Sequence, residues 1–104
     1  MNILEYIPKG HDNGISLQEL SILTGLKSRW VRREIEKSNL DITTPPIVNL
    51  MDGAGYFVPT KEETESIRRY VISEKSRARK IEKKIRSLEK YLANIGQEEM
   101  KFIG

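Results

Sequence analysis

The chain has no cysteine, which excludes disulfides, thiolate metal ligands and a cysteine nucleophile. It has one histidine, His11, set in the polar loop Lys9-Gly10-His11-Asp12-Asn13-Gly14. With no second imidazole to share a metal and no nucleophile beside it, His11 is expected to be a solvated loop residue rather than a ligand or a base. Asp12, Asp41 and Asp52 belong to separate loops and lack metal-ligand spacing. No glycine-rich phosphate loop follows a strand, and the other carboxylates fall on caps and solvent-facing helix positions. Neither an enzyme nor a cofactor or metal is expected. No run approaches 20 apolar residues, and the first segment carries Glu5 and Tyr6 with no basic n-region. A cytoplasmic chain without a membrane partner is the expectation.

What is present, 104 residues with 38% hydrophobic and 32% charged, suits one small domain with an appendage. The net charge of +3 is unevenly spread. From Lys27 to Lys37 there are five basic and two acidic residues, and from Arg68 to Lys90 ten and three. Residues 38–67 hold Lys61 against Asp41, Asp52, Glu62, Glu63 and Glu65. Positive potential therefore gathers on two segments.

The first of these lies in Ile15–Lys37, which reads as two short amphipathic helices around a tight turn at Thr24-Gly25-Leu26. Ser16, with Glu19 three residues on, forms a capping box. Leu17, Leu20 and Leu23 then line one face of a helix of about two turns. Gly25 supplies the freedom for the corner and Leu26 plugs it. In the second helix Val31 and Ile35 set the inward face. At about 100° per residue, Arg29 and Arg33 point away from the core while Trp30 and Arg32 take the flanks. Such a basic face suits a major groove, since arginine bonds guanine bidentately and neutralises phosphate. The same face is also compatible with simple solvation or with protein contact.

Before this motif, Ile3, Leu4 and Ile7 allow a first helix of about two turns ended by Pro8, and Ile15 allows a short strand. After it, Ser38-Asn39 and Thr43-Thr44-Pro45-Pro46 stop the second helix. Ile47-Val48-Asn49-Leu50 and Tyr56-Phe57-Val58 are β-prone runs around Met51-Asp52-Gly53-Ala54-Gly55, a hairpin pattern. A hairpin placed there is a wing. Its tip carries Asp52 and neither lysine nor arginine, so two roles stand side by side: a minor DNA contact through backbone amides, or packing against a protein.

This order of elements, with Val31-Arg32-Arg33-Glu34-Ile35 in the second helix and Gly55-Tyr56-Phe57-Val58-Pro59 in the wing, resembles the winged helix-turn-helix superfamily. Tyr6-Ile7-Pro8-Lys9-Gly10 and the Gly-Tyr-Phe wing also resemble small winged-helix proteins encoded by bacteriophages and prophages of Gram-positive bacteria. The likeness covers about residues 1–75. It implies a mainly α fold with a small β-hairpin and a role in DNA binding. Where that family tends to place a capping serine directly after the turn, this chain has Lys27, with Ser28 one place later, which shifts the start of the recognition helix.

The second basic segment belongs to a long helix capped by Thr60 and Glu63 and uninterrupted by proline or glycine until Gly96. About 35 residues at about 1.5 Å each give roughly 52 Å. Val71, Ala78, Ile81, Ile85, Leu88, Leu92 and Ile95 fall on a heptad stripe that Ile67 extends and Glu74 breaks. Arg77 with Glu82, and Lys84 with Glu89, are opposite in sign at the five-residue offset of a parallel dimer, each exposed pair worth only ~0.5 kcal/mol. Antiparallel pairing and folding back remain alternatives. Arg79, Lys80, Lys83, Arg86 and Lys90 form an outer basic face, compatible with solubility or with phosphate contact. Residues 97–104, with Met100, Phe102 and Ile103, form a short tail, either disordered or docked.

The organisation expected is thus a winged domain over 1–59, a dimerising coiled-coil helix over 60–96 and a tail. The function expected is sequence-specific binding of double-stranded DNA by a homodimer, as a phage-type transcription regulator or a replication accessory factor. Arg29, Arg32 and Arg33 enter the groove beside Trp30, and Lys27, Ser28 and Lys37 bond phosphates, with half-sites about 34 Å apart or a multiple of it. The alternative is a module that binds a host or phage replication or transcription protein, with little DNA binding of its own.

Overall fold

The computed structural model describes residues 1–103, with side chains described through Gly96. The chain is mainly helical and divides into two compact units, 1–70 and 71–104. Three α-helices are formed: α1, Leu17–Thr24; α2, Ser28–Leu40; and α3, Thr64–Ile103.

In the first unit, α1 begins at Ser16, whose Oγ accepts the Glu19 N–H at 3.1 Å. Only half of the expected capping box forms, because the Glu19 carboxylate takes the Ser16 hydroxyl instead of the Ser16 amide. Gly25 ends the helix at φ 72° and ψ 8°, its N–H bonded to the Ser21 carbonyl. This left-handed conformation costs other residues roughly 1–2 kcal/mol. The corner is tied by side chains: Thr24 Oγ1 donates to the Leu20 carbonyl and accepts the Leu26 N–H, and Ser21 Oγ donates to the Leu26 carbonyl. Leu26 packs against the core as expected.

The buried core consists of Ile3, Ile7, Ile15, Leu20, Val31, Ile35, Ile47, Val48, Phe57 and Val58, and no polar or charged residue among those described is buried with them. Leu17 packs at its edge, but Leu23, expected on the same face, is 59% exposed. α1 is only eight residues long, and its last turn rises beyond the small core. The N-terminal helix of two turns is likewise reduced to a single 3-10 turn, Ile3–Tyr6, capped by Asn2, enough to bury Ile3.

The hairpin is the largest departure from expectation. No extended strand forms among the described residues; residues 47–50 and 56–58 meet at one antiparallel bridge, Val48 with Phe57. Tyr56 and Val58 turn the other way. Tyr56 exchanges both backbone bonds with Ile15, at 2.9 and 2.7 Å, and Val58 bonds with Pro8 and Gly10. The segment 56–58 thus lies between two edges, Tyr56 and Val58 bonding to one side and Phe57 to the other, each by an isolated bridge. Side chains account for this brevity: Asn49 and Asp52 accept the N–H groups of Met51 and Ala54, curling the loop before a ladder can extend. Gly55 has φ 85°, and a Cβ there would lie 2.4 Å from the Ile15 carbonyl oxygen. Only glycine lets the loop backbone approach so closely.

Asn39 joins the end of α2 to this layer. Its amide nitrogen donates to the Ile47 carbonyl at 2.9 Å and its oxygen accepts the Ile47 N–H at 2.8 Å, as a neighbouring strand would. Thr60 and Glu63 do not start α3 as a capping box; the helix begins at Thr64. The Glu63 carboxylate accepts the Thr60 N–H at 2.9 Å, one half of the expected box, in a turn that precedes the helix, and also accepts the His11 N–H at 3.0 Å.

The second unit is the remainder of α3. It is helical through Ile103, so the backbone does not change character at Gly96, where a tail was expected. The side chains of Met100, Phe102 and Ile103 lie outside the described residues. Val71, Ile81, Ile85, Leu88 and Leu92 are between 43% and 66% exposed, and Ala78 is exposed as well. Ile95 is half-buried. Glu74 pairs with Arg77 one turn on at 3.3 Å. No helix among the described residues is long and apolar enough to cross a membrane.

Candidate nucleic-acid interface

Val31 and Ile35 are 0% and 5% exposed, which fixes the rotation of α2 on the core. Arg29, Trp30, Arg32, Arg33 and Lys37 are consequently exposed, while Ser28, the first helical residue, is half-buried. Lys27 takes the N-cap position and makes no side-chain cap bond. The Trp30 and Val31 N–H groups bond the Lys27 carbonyl, which leaves the Ser28 and Arg29 amides without a side-chain cap, and the positive end of the helix dipole adds to Lys27 and Arg29. Among the described residues no ion pair involves α2, so its basic groups are not neutralised by a partner carboxylate.

Trp30 holds a more particular position than the flank assigned to it. The guanidinium carbon of Arg33 lies 4.6 Å from its ring centre and that of Arg29 5.3 Å. Of the seven α2-region residues singled out from sequence, Arg29, Trp30 and Arg33 are brought into contact, Arg32 and Lys37 are exposed separately, and Ser28 is recessed.

The loop at the wing position differs from its sequence reading. His11 Nε2 lies 2.7 Å from Asp52 Oδ2, its Nδ1 3.4 Å from Asp12 Oδ1, and its ring meets Phe57 edge-on with centres 5.3 Å apart. The hydrogen bond to Asp52, then that to Asp12, raises the His11 pKa above 6.5. The Asp52 carboxyl is held below its usual range by His11 and by the Ala54 N–H. Glu63 is lowered by the amides of Thr60 and His11. His11 is therefore a junction between loops, its side chain still 35% exposed, and its ring is hydrogen-bonded to the Asp52 carboxylate. Residue spacing gave no sign of this, because the partners are 41 positions apart.

No set of three or more His, Asp or Glu side chains among the described residues could hold a metal ion. The open depressions of the first unit, such as that lined by Ile3, Glu34, Lys37, Ser38 and Asp41, lack a converging set of reactive groups. On α3, Arg68 pairs with Glu65 at 3.3 Å and Arg77 with Glu74, whereas Arg79, Lys80, Lys83, Arg86 and Lys90 are exposed. No protein-family model matches the chain, and neither the curated proteins nor the solved structures include a significant relative.

Proposed function

We propose that this chain is a winged helix-turn-helix protein that binds double-stranded DNA as a homodimer, in the manner of a phage-type transcription regulator or replication accessory factor. The observation that carries the reading is the outer face of α2, where Arg29, Arg32, Arg33, Lys27 and Lys37 stand without acidic partners on a helix anchored by Val31 and Ile35. A helix so presented fits a major groove, with arginine forks toward base edges and the capless amides toward phosphate. The loop around Asp52 takes the place of the wing, its carboxylate hydrogen-bonded to His11.

Dimerisation is assigned to the stripe Val71, Ala78, Ile81, Ile85, Leu88, Leu92 and Ile95, because apolar residues spaced by heptads and, up to Leu92, exposed on a single helix gain most by pairing. Lys84 with Glu89 favours a parallel pair. Arg77 supports it less, being engaged by Glu74 within its own helix.

A mobility-shift titration at several salt concentrations tests the DNA reading. Affinity falling steeply as salt rises is the expected outcome; no retarded duplex at low salt refutes it. The second reading, an interaction module for a replication or transcription protein, draws on Ile22 at 74% and Leu23 at 59% exposure on α1. It predicts no DNA shift and retention of a protein partner that Ile22→Lys abolishes.

A further inference from the structure

The core cluster and the residues packed against it do not include Trp30, which is 41% exposed. Core packing therefore does not explain a large aromatic ring at this position of α2. Its near neighbours are instead two cations, Arg33 at 4.6 Å and Arg29 at 5.3 Å from the ring centre. An indole attracts a guanidinium through its quadrupole, and an arginine held there keeps the planar N–H fork that bonds a guanine edge or a phosphate.

We propose that Trp30 is a positioning residue for duplex recognition, holding Arg29 and Arg33 as a prepared pair before DNA arrives. The proposal rests on the DNA-binding reading above. An exposed arginine samples many rotamers, and binding must select one. A side chain already confined by the indole loses less freedom on contact, so affinity rises with no added contact to DNA. Arg32 has no ring beside it among the described contacts. Trp30 thus divides the three arginines into two that are prepared and one that is ordered only on binding.

The test compares the full chain with Trp30→Leu and Trp30→Phe, each also in an Arg29→Ala/Arg33→Ala background, by DNA titration at several salt concentrations. The NMR shifts of the Arg29 and Arg33 side-chain protons in the free protein, and a thermal melt to confirm folding, accompany it. Trp30→Leu should lose about tenfold in affinity while the salt slope stays the same, because no charge has been removed. That loss should vanish when both arginines are alanine, and Trp30→Phe should recover part of it. Ring-current shifts on the arginine protons should be present in the wild type and absent from Trp30→Leu. An unchanged affinity, unshifted arginine protons, or an equal loss without the arginines overturns the proposal, the last by making Trp30 a direct DNA contact. Failure of the DNA reading itself looks different: the wild type then retards no duplex even though its arginine protons are shifted.

Discussion

The two units solve the problem of apolar surface in opposite ways. Residues 1–70 enclose ten apolar side chains and stitch irregular backbone together with side-chain bonds from Ser21, Thr24, Asn39, Asp52 and Glu63. In the second unit the apolar side chains from Val71 to Leu92 are exposed within the chain, and the helix relies on its own backbone bonds. A lone helix in water is marginal, since most helical stability in proteins comes from packing. The first unit is therefore held by tertiary contact, and in the proposed dimer the second gains its packing from the partner helix.

The strongest way to break this contrast is Leu88→Lys. In the proposed dimer it removes two leucines, each worth about 1.5–3 kcal/mol when fully buried, so mass measurement in solution should give the 12.0 kDa monomer with the first unit still folded. A dimer that persists refutes the stripe as the interface. Phe57→Ala attacks the other unit: Phe57 is fully buried, and its truncation should cost about 3–5 kcal/mol, read by denaturant titration, with the dimer preserved wherever the chain remains folded. Gly55→Ala should destabilise the first unit by about 3 kcal/mol through a strained φ and contact with the Ile15 carbonyl. Gly53→Ala, where φ is also positive but the space is open, should cost less; equal costs would show that the close approach is unimportant. Arg33→Ala should weaken DNA binding by about 1–3 kcal/mol while leaving both the melting curve and the dimer intact. Uniform weakening on every sequence would assign Arg33 to phosphate rather than to a base.

The smallest effect concerns His11 and Asp52. The folded pKa of His11 is raised, so its contribution to stability is complete below about 6.5 and is lost as pH rises through the folded value. Asp52 is lowered, so its contribution is present above about 3.8 and is lost as pH falls through its folded value. The pair is strongest between these limits. His11→Gln should flatten the stability profile on the alkaline side of that window, measured by melting temperature from pH 5 to 9; an unchanged profile would show that the contact contributes nothing.

Local signals were read correctly where the physics is local. Ser16, Gly25, Val31 and Ile35 specify α1, its turn and the rotation of α2 from within one continuous segment, Ser16 to Ile35, and the structure places them as their chemistry requires. The helix after Thr60 was legible because nothing interrupts it, although it begins only at Thr64 and Glu63 answers both to Thr60 and to His11, 52 residues away. The same limit explains the hairpin. β-prone composition announces strands, but it does not show that Tyr56 and Val58 bond to Ile15, Pro8 and Gly10 while only Phe57 bonds to Val48. Of the candidate site, the identity of the outward residues was legible from helical periodicity. The gathering of Arg29 and Arg33 on Trp30 was not, because a helical wheel gives directions and not side-chain conformations.

The absence of polar or charged residues from the described core has an evolutionary consequence. A core of aliphatic side chains and one phenylalanine imposes no hydrogen-bond partners on its neighbours, and such cores tolerate repacking when volume is conserved. The outward positions 29, 32, 33, 36 and 37 of α2 are exposed, so they can be exchanged with little cost to the scaffold. The surface that these positions present can therefore change with less consequence than the core beneath it, and a library randomised at those five positions should yield mostly folded members.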